Sequence, residues 1–449
     1  MQNIVHKYRI YPNIEQQQYF EQTFGACRWL WNHMLSDRND IYKRDGETYY
    51  PKPSDYKIEN PWLKDIDSLA LCNVQLNLQS AYSNFFKSLK GDRKGKKISH
   101  PKFKSKKRCK QRYKTNVVCG KNGSSNIKID VDNGTVRLPK IDSKIKTIFH
   151  RPLPKNSIVK NVSIEKTVSS KYYIAIGMEI PERDKIIPDI TKAVGIDFSM
   201  NNIYVTSDGE KANHQHWFRR SEKLLKLRKR RYNRRISKIR EKHLLPNQKK
   251  LTKDNTKKFR EELRNSKNLE KLRIRAGTIS ERVSNQRKDT LLKEAFRLIN
   301  KYDVLIFEDI NLQTMSRCLN FGKSVADAGF GIFRNRIEQL CNQSGKIFFV
   351  VDKWFPSSKM CNKCRHINKD LKLSDREWIC PECGTILDRD VNAGINLKNN
   401  FLENNTVGTA GINALGDVTS TFSSSLLLAS NVNELGKMTL INYNGSPSL

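Results

Sequence analysis

Two kinds of metal chemistry stand side by side in the stretch CPECGTILDRDVNAGINL, which begins at Cys380. Cys380 and Cys383 form a Cys-x-x-Cys pair, and Cys361 and Cys364 form another, with fifteen residues between the pairs. Four thiolates at this spacing match a tetrahedral zinc ribbon. Protein fills all four positions and leaves none for a catalytic water, so the zinc is expected to be structural. The intervening RHINKDLKLSDREWI is too short and too polar to fold without such a staple. The acids ask for a harder ion. Asp197 lies in the apolar run VGIDF, Glu308 closes LIFE, and Asp390 sits in DRDVNAGIN. A lone carboxylate on a buried strand is costly unless it is paired or bound to metal. Singly, each acid could end a strand or cap a helix. Together they can hold two Mg²⁺ ions roughly 4 Å apart, the arrangement that hydrolyses a phosphodiester.

Several elements must position these groups. NIVHKYRIYP alternates and stops at Pro12, a strand. Asn13 then offers an N-cap with Gln16 as its capping-box partner, and Phe20, Phe24, Cys27, Trp31 and Met34 follow at helical spacing. A second helix through LALCNVQLNLQSAYSNFFKSLKG places Val74, Leu78, Ala81, Phe85 and Leu89 on one stripe. Its polar positions Asn73, Gln75 and Gln79 are either ordinary exposed amides or amides that pair bidentately with adenine. From about Thr115 to Glu182 short strands alternate, with Asn133-Gly134 as a hairpin turn, which suggests a small barrel or sandwich. The N-terminal strand would be its first, with the helices inserted. AVGIDF, DVLIFEDI and KIFFVVDKWF then read as buried strands, separated by a long helical stretch dense in cations. Beyond Asn400 the text turns Asn-, Ser- and Gly-rich and is expected to be disordered.

The net charge of +37 bounds the partners. A surplus this large opposes compaction unless a polyanion neutralises it, and nucleic acid is the polyanion expected. The basic loop GDRKGKKISHPKFKSKKRCKQRYK would order against phosphates. No apolar stretch suits a signal peptide or a membrane span, and the remaining cysteines are scattered. A cytoplasmic protein without membrane attachment is expected.

With these residues in view, the chain resembles TnpB, the transposon-associated RNA-guided nuclease family related to type V CRISPR effectors and to Fanzor proteins. The resemblance is carried by GIDFSMNNIYVTSDG, NQRKD, LIFEDINL, SVADAGFGIFR, VDKWFPSSKMCNKC, CPECGTILDRDVNAGINL and VGTAGINALGD. It implies an α/β fold with β-barrel and helical parts: an RNase H-like RuvC nuclease domain with an inserted zinc ribbon, preceded by a wedge β-barrel that a helical recognition domain interrupts. The implied bounds are 1–12 for the first wedge strand, 13–112 for the helical domain and 113–190 for the wedge. The nuclease with its basic helical insertion would span 191–355, the zinc ribbon 356–386, the last nuclease segment 387–400 and the tail 401–449. Asp197, Glu308 and Asp390 match the three catalytic acids in chain order. The implied partners are a guide RNA derived from the transposon end and double-stranded DNA beside a short motif, in a monomeric ribonucleoprotein. Asn73, Gln75 and Gln79 fall where the family approaches that motif. Lys102, Lys104, Lys106 and Lys107, with Arg287 and Lys288 of NQRKD, are candidates for nucleic-acid contacts. A guide-dependent repressor without cleavage is the main alternative, and the intact acids weigh against it. A transposase fits the final DRDVNA less well.

Overall fold

The structure, a computed structural model, describes residues 1–406 except 94–96, 121–123, 183, 200–201, 246–247, 249, 312–321 and 373. The motif VGTAGINALGD and the expected tail from 407 onward lie outside the described residues. Two compact units emerge, residues 1–185 with 216–290, and 186–215 with the described residues from 291 on. Among the described residues, no helix is long and apolar enough to cross a membrane.

The first unit starts with β1 (Gln2–Tyr11), followed by α1 (Ile14–Asp45), α2 (Pro53–Glu59) and α3 (Ser68–Lys90). Strands β2 (Gln111–Asn116), β3 (Lys128–Asp130), β4 (Thr135–Arg137), β5 (Ile145–Ile148), β6 (Ile158–Lys166) and β7 (Tyr172–Ile180) follow. They form one antiparallel sheet in the order β2-β6-β7-β1-β5-β4-β3. The N-terminal strand thus lies between β5 and β7, and the helices are an insertion, as the strand pattern suggested. The edge strands β2 and β3 share no ladder among the described residues. The capping box forms as read: the Gln16 N–H donates to Asn13 Oδ1 at 2.8 Å and the Asn13 N–H to Gln16 Oε1 at 3.0 Å. Phe20, Phe24, Cys27, Trp31 and Met34 are all buried. On α3 the stripe is displaced. Ala70, Val74, Leu78 and Tyr82 are buried, whereas Leu89 is 66% exposed because the last turns run past the core that the helix covers. The unit closes with α4 (Trp217–Lys242), α5 (Lys253–Asn265) and the first part of α6 (Lys267–Lys301).

The second unit is a five-stranded sheet of β8 (Ala193–Asp197), β9 (Asn202–Thr206), β10 (Lys211–Asn213), β11 (Val304–Glu308) and β12 (Ile347–Val351). Its order is β10-β9-β8-β11-β12; β8 to β10 are antiparallel, while β11 runs parallel to both β8 and β12. Helices cover both faces. The end of α6 and α8 (Phe330–Ser344), which follows the short α7 (Gly322–Ala328), pack on Val194, Ile196 and Phe307. On the other face, Leu397 and Phe401 of α9 (Arg389–Thr406) pack on Ala193, Val304 and Ile306. Burial on two sides explains why β8 and β11 are nearly unbroken apolar runs. Helix α9 continues six residues past the boundary expected at 400, because Phe401 is a core residue and the chain stays helical to bury it. Strands β13 (Glu377–Ile379) and β14 (Ile386–Asp388) form a separate hairpin that runs directly into α9.

Candidate metal centres

The cysteine centre is built by two turns of the same kind. The Arg365 N–H donates to the Cys361 carbonyl, the Gly384 N–H to that of Cys380, and the residue closing each turn has φ near 65° (Arg365 64°, Gly384 67°). All four sulfurs lie within 4.8 Å of one another, with Cys361 3.7 Å from Cys383 and Cys364 3.5 Å from Cys380. Four sulfurs on zinc–sulfur bonds of about 2.3 Å stand about 3.8 Å apart, so this donor set fits the ion expected. Replacing Cys380 with Ser is predicted to weaken zinc binding at least about a hundredfold and to lower the first thermal transition. Zinc stoichiometry by mass spectrometry and a chelator competition would measure it; unchanged stoichiometry would contradict the assignment.

The acids converge at the ends of parallel strands. Asp197 is the last residue of β8 and Glu308 the last of β11, and the register pairing Ile196 with Phe307 sets the two side by side. Asp390 stands in the first turn of α9, where Ser199 Oγ donates to Oδ2 at 3.0 Å and the Arg376 guanidinium lies 3.3 Å from Oδ1. Burial holds the Asp197 carboxyl well above its usual range, and the nearby Asp390 and Glu308 carboxylates push it further in that direction. Burial also raises Glu308, against the Ser357 hydrogen bond and Arg389. Raised carboxyls such as those of Asp197 and Glu308 are groups that a cation could satisfy.

Asp388 is a helix cap. Its Oδ1 accepts the N–H groups of Asp390 and Val391 at 3.0 and 3.1 Å, while Lys211 Nζ lies 2.6 Å from Oδ2. Burial works against its ionisation, but Lys211 and the helix N–H groups outweigh it and hold the carboxyl below its usual value. Asp309 is surface-exposed, 3.3 Å from Arg334.

Two residues that composition did not flag tie the centres together. Asn392 and Asn396 are buried on α9 at 1% and 2% exposure. The Asn392 amide donates to the Met360 carbonyl at 2.8 Å and its oxygen accepts the Asn362 N–H at 3.0 Å, while Asn396 donates to the carbonyls of Ser357 and Met360. The turn carrying Cys361 is therefore fastened to the helix carrying Asp390. The only sequence signal was two asparagines on the apolar face of a helix, where an amide needs a buried partner.

The nucleic-acid candidates lie in the first unit. Asn73 is buried, its amide donating to the Leu69 carbonyl at 2.8 Å, so it does not present its amide to solvent as the exposed-face reading required. Position 73 falls on the inward stripe of α3. Gln75 and Gln79 are half-buried; Lys102, Lys106, Lys107 and Lys288 are exposed and Arg287 is half-buried. Lys104 is turned inward, its ammonium 3.3 Å from the centre of the Trp31 ring, and burial pulls it down to about 8. Asn73 and Lys104 meet in one cavity of about 400 Å³, lined also by Arg28, Trp31, Arg112 and Lys114.

Known proteins match both ends of this arrangement. A helix-turn-helix domain family matches residues 1–47, here β1 and α1, and the Cas12f1-like TNB domain family matches residues 330–397, which include the four cysteines and Asp390. The chain is 27% identical over 403 residues to a Streptomyces pristinaespiralis protein named "Putative RNA-guided DNA endonuclease", covering 87% of each. It is 23% identical over 420 residues to InsQ of Escherichia coli (strain K12), which bears the same description, covering 87% of this chain and 90% of that one. The TnpB-like protein L79 of Acanthamoeba polyphaga mimivirus is 28% identical over 139 residues, 30% of this chain and 26% of that protein. A solved Cas12f1–sgRNA–target DNA complex covers 86% of this chain and 83% of its own at 15% identity, with a TM-score of 0.47, below the level from which a shared fold follows. The likeness runs from the first strand and helix to the cysteine turns and the helix behind them, and it makes the chain similar to the RNA-guided endonuclease and TnpB-like proteins named above.

Proposed function

We propose that the protein is an RNA-guided endonuclease that cleaves double-stranded DNA beside a short transposon-adjacent motif, by two-metal hydrolysis of the phosphodiester. The observation that carries the chemistry is the convergence of Asp197, Glu308 and Asp390 at adjacent strand ends and a helix start. The strand order β10-β9-β8-β11-β12, with acids on β8 and β11, agrees with an RNase H-like RuvC domain. Three converging carboxylates suit a pair of ions about 3.5–4 Å apart. Two Mg²⁺ ions held there would polarise the scissile phosphate, activate water and stabilise the leaving oxygen. Asp197, Glu308 and Asp390 would hold the ions, with Ser199 and Arg376 orienting Asp390 and Ser357 orienting Glu308.

Guidance rests on the relatives' descriptions and on the charge of +37, which suits a protein gripping a structured RNA and a heteroduplex by their backbones. The guide would derive from the transposon end. The exposed lysines Lys102, Lys106, Lys107 and Lys288, and Arg287 next to Lys288 in the chain, are offered to phosphates, and Gln75 and Gln79 to the bases of the adjacent motif. The working species would be a monomeric ribonucleoprotein. Sequencing the RNA that co-purifies, then replacing its guide segment, should redirect Mg²⁺-dependent cutting to the newly matched duplex. Cutting that ignores the RNA, or no discrete RNA at all, would sink the guided reading.

A further inference from the structure

Val351 ends β12 in register with Glu308, and the chain then turns beside the acids. Asp352 fixes this turn: its carboxylate accepts the Trp354 N–H at 2.8 Å, and its carbonyl accepts the Phe355 N–H at 3.1 Å. Phe355 packs into the core on the α9 face, and Ser357 is buried and hydrogen-bonded to Glu308. A turn anchored this firmly nevertheless leaves Trp354 80% exposed, the most of the chain's six tryptophans. Trp31 and Trp378, by contrast, are 6% exposed. The Lys353 ammonium lies 4.7 Å from the centre of the Trp354 ring.

An indole carries a large apolar area and is ordinarily mostly covered. Here the turn leaves most of it uncovered. Asp352 and Lys353 beside it are charged and exposed, so the surface is not the contiguous apolar patch that docks a protein. A flat ring with an ammonium alongside is what one unpaired nucleotide takes, the base on the ring and the phosphate against the cation. Two residues, Asp352 and Lys353, separate Trp354 from Val351, the strand end level with Glu308, so a single-stranded segment whose scissile phosphate sits on the acids would pass close to the ring.

We infer that Trp354 and Lys353 form a stacking site for one unpaired nucleotide of the DNA strand presented to Asp197, Glu308 and Asp390. This rests on the nuclease reading above. The ribonucleoprotein is compared with its Trp354→Ala and Trp354→Phe forms in two assays. One titrates a fluorescent single-stranded oligodeoxynucleotide in magnesium-free buffer; the other follows single-turnover cleavage of matched duplex with Mg²⁺. Trp354→Ala should bind the single strand about ten- to a hundredfold more weakly, and raise the concentration for half-maximal cleavage more than it lowers the maximal rate. Trp354→Phe should recover most of the loss, and the melting temperature should not move, since the ring supports no core. Equal binding by wild type and Trp354→Ala, or a loss seen with an RNA oligonucleotide and not with DNA, would overturn the inference. A wild-type complex that cuts nothing would instead defeat the nuclease reading.

Discussion

Asp197→Asn is expected to abolish Mg²⁺-dependent cleavage and, in the metal-free protein, to raise the melting temperature. Both effects come from one cause. Losing an ion ligand forfeits several kcal/mol of charge stabilisation in the transition state. At about 1.4 kcal/mol per factor of ten, a loss of ~4 kcal/mol is a thousandfold. Binding of guide and target, carried by phosphate contacts elsewhere, should survive. The stability effect follows from the raised carboxyl. A group whose folded value lies above its unfolded value of 3.8 stabilises the fold fully below that value, and the contribution is lost as pH rises through the folded value. The metal-free wild type should therefore weaken on going from acid to neutral pH, by more than Asp197→Asn does over the same range. Mg²⁺ should restore the wild type, by preferential binding to the folded state, and leave the variant nearly unmoved. Calorimetry of both proteins with and without Mg²⁺ tests this directly. A variant that melts lower than wild type in every condition would make Asp197 a structural residue. For the same reason, cleavage should fail on acidification from a pH above the ordinary carboxylate range.

The legible features of this chain are those in which a residue type contradicts its surroundings or repeats at a fixed spacing. Carboxylates inside VGIDF and LIFE are such contradictions, and the structure sets them at neighbouring strand ends. Two Cys-x-x-Cys pairs announce their own geometry, because sulfur ligands tolerate one arrangement around zinc. Asn13 and Gln16 could be read because a capping box is local, complete within four residues. What escaped was orientation. Whether Asn73 faces in or out depends on which stripe of α3 meets the sheet, and a few tens of degrees of rotation moved it from the solvent to the inside. Asn392 and Asn396 were read as letters of a motif; their partners, the carbonyls of Ser357 and Met360, lie some thirty to forty residues earlier and carry no side-chain signature.

The glycine of VGIDF escaped for a related reason, and it carries the second large effect. Gly195→Ala is expected to reduce cleavage at least about a hundredfold in whatever fraction folds. Helix α9 lies backbone to backbone on β8 at this point. A β-carbon on Gly195 would overlap the carbonyl oxygen of Gly394 and stand 2.9 Å from the Lys398 nitrogen. On the helix side, a β-carbon on Gly394 would stand 2.8 Å from the Ser207 nitrogen. None of these neighbours is the end of a flexible side chain, so the helix itself must lift. Overpacking of this kind typically costs about 1–3 kcal/mol, and more where backbone is met. The catalytic consequence is larger than the stability loss, because the helix carries Asp390 one turn before Gly394 and the strand carries Asp197 two residues after Gly195. Lifting α9 by about an ångström separates the two acids from the positions that share ions, and a displacement of that size can cost about a hundredfold in rate. The expected signature is a protein that still binds zinc, RNA and target, cleaves slowly at saturating target, and needs much more Mg²⁺ to do so. Cleavage by Gly195→Ala at the wild-type rate and Mg²⁺ concentration would mean that the spacing between α9 and β8 does not set the position of Asp390.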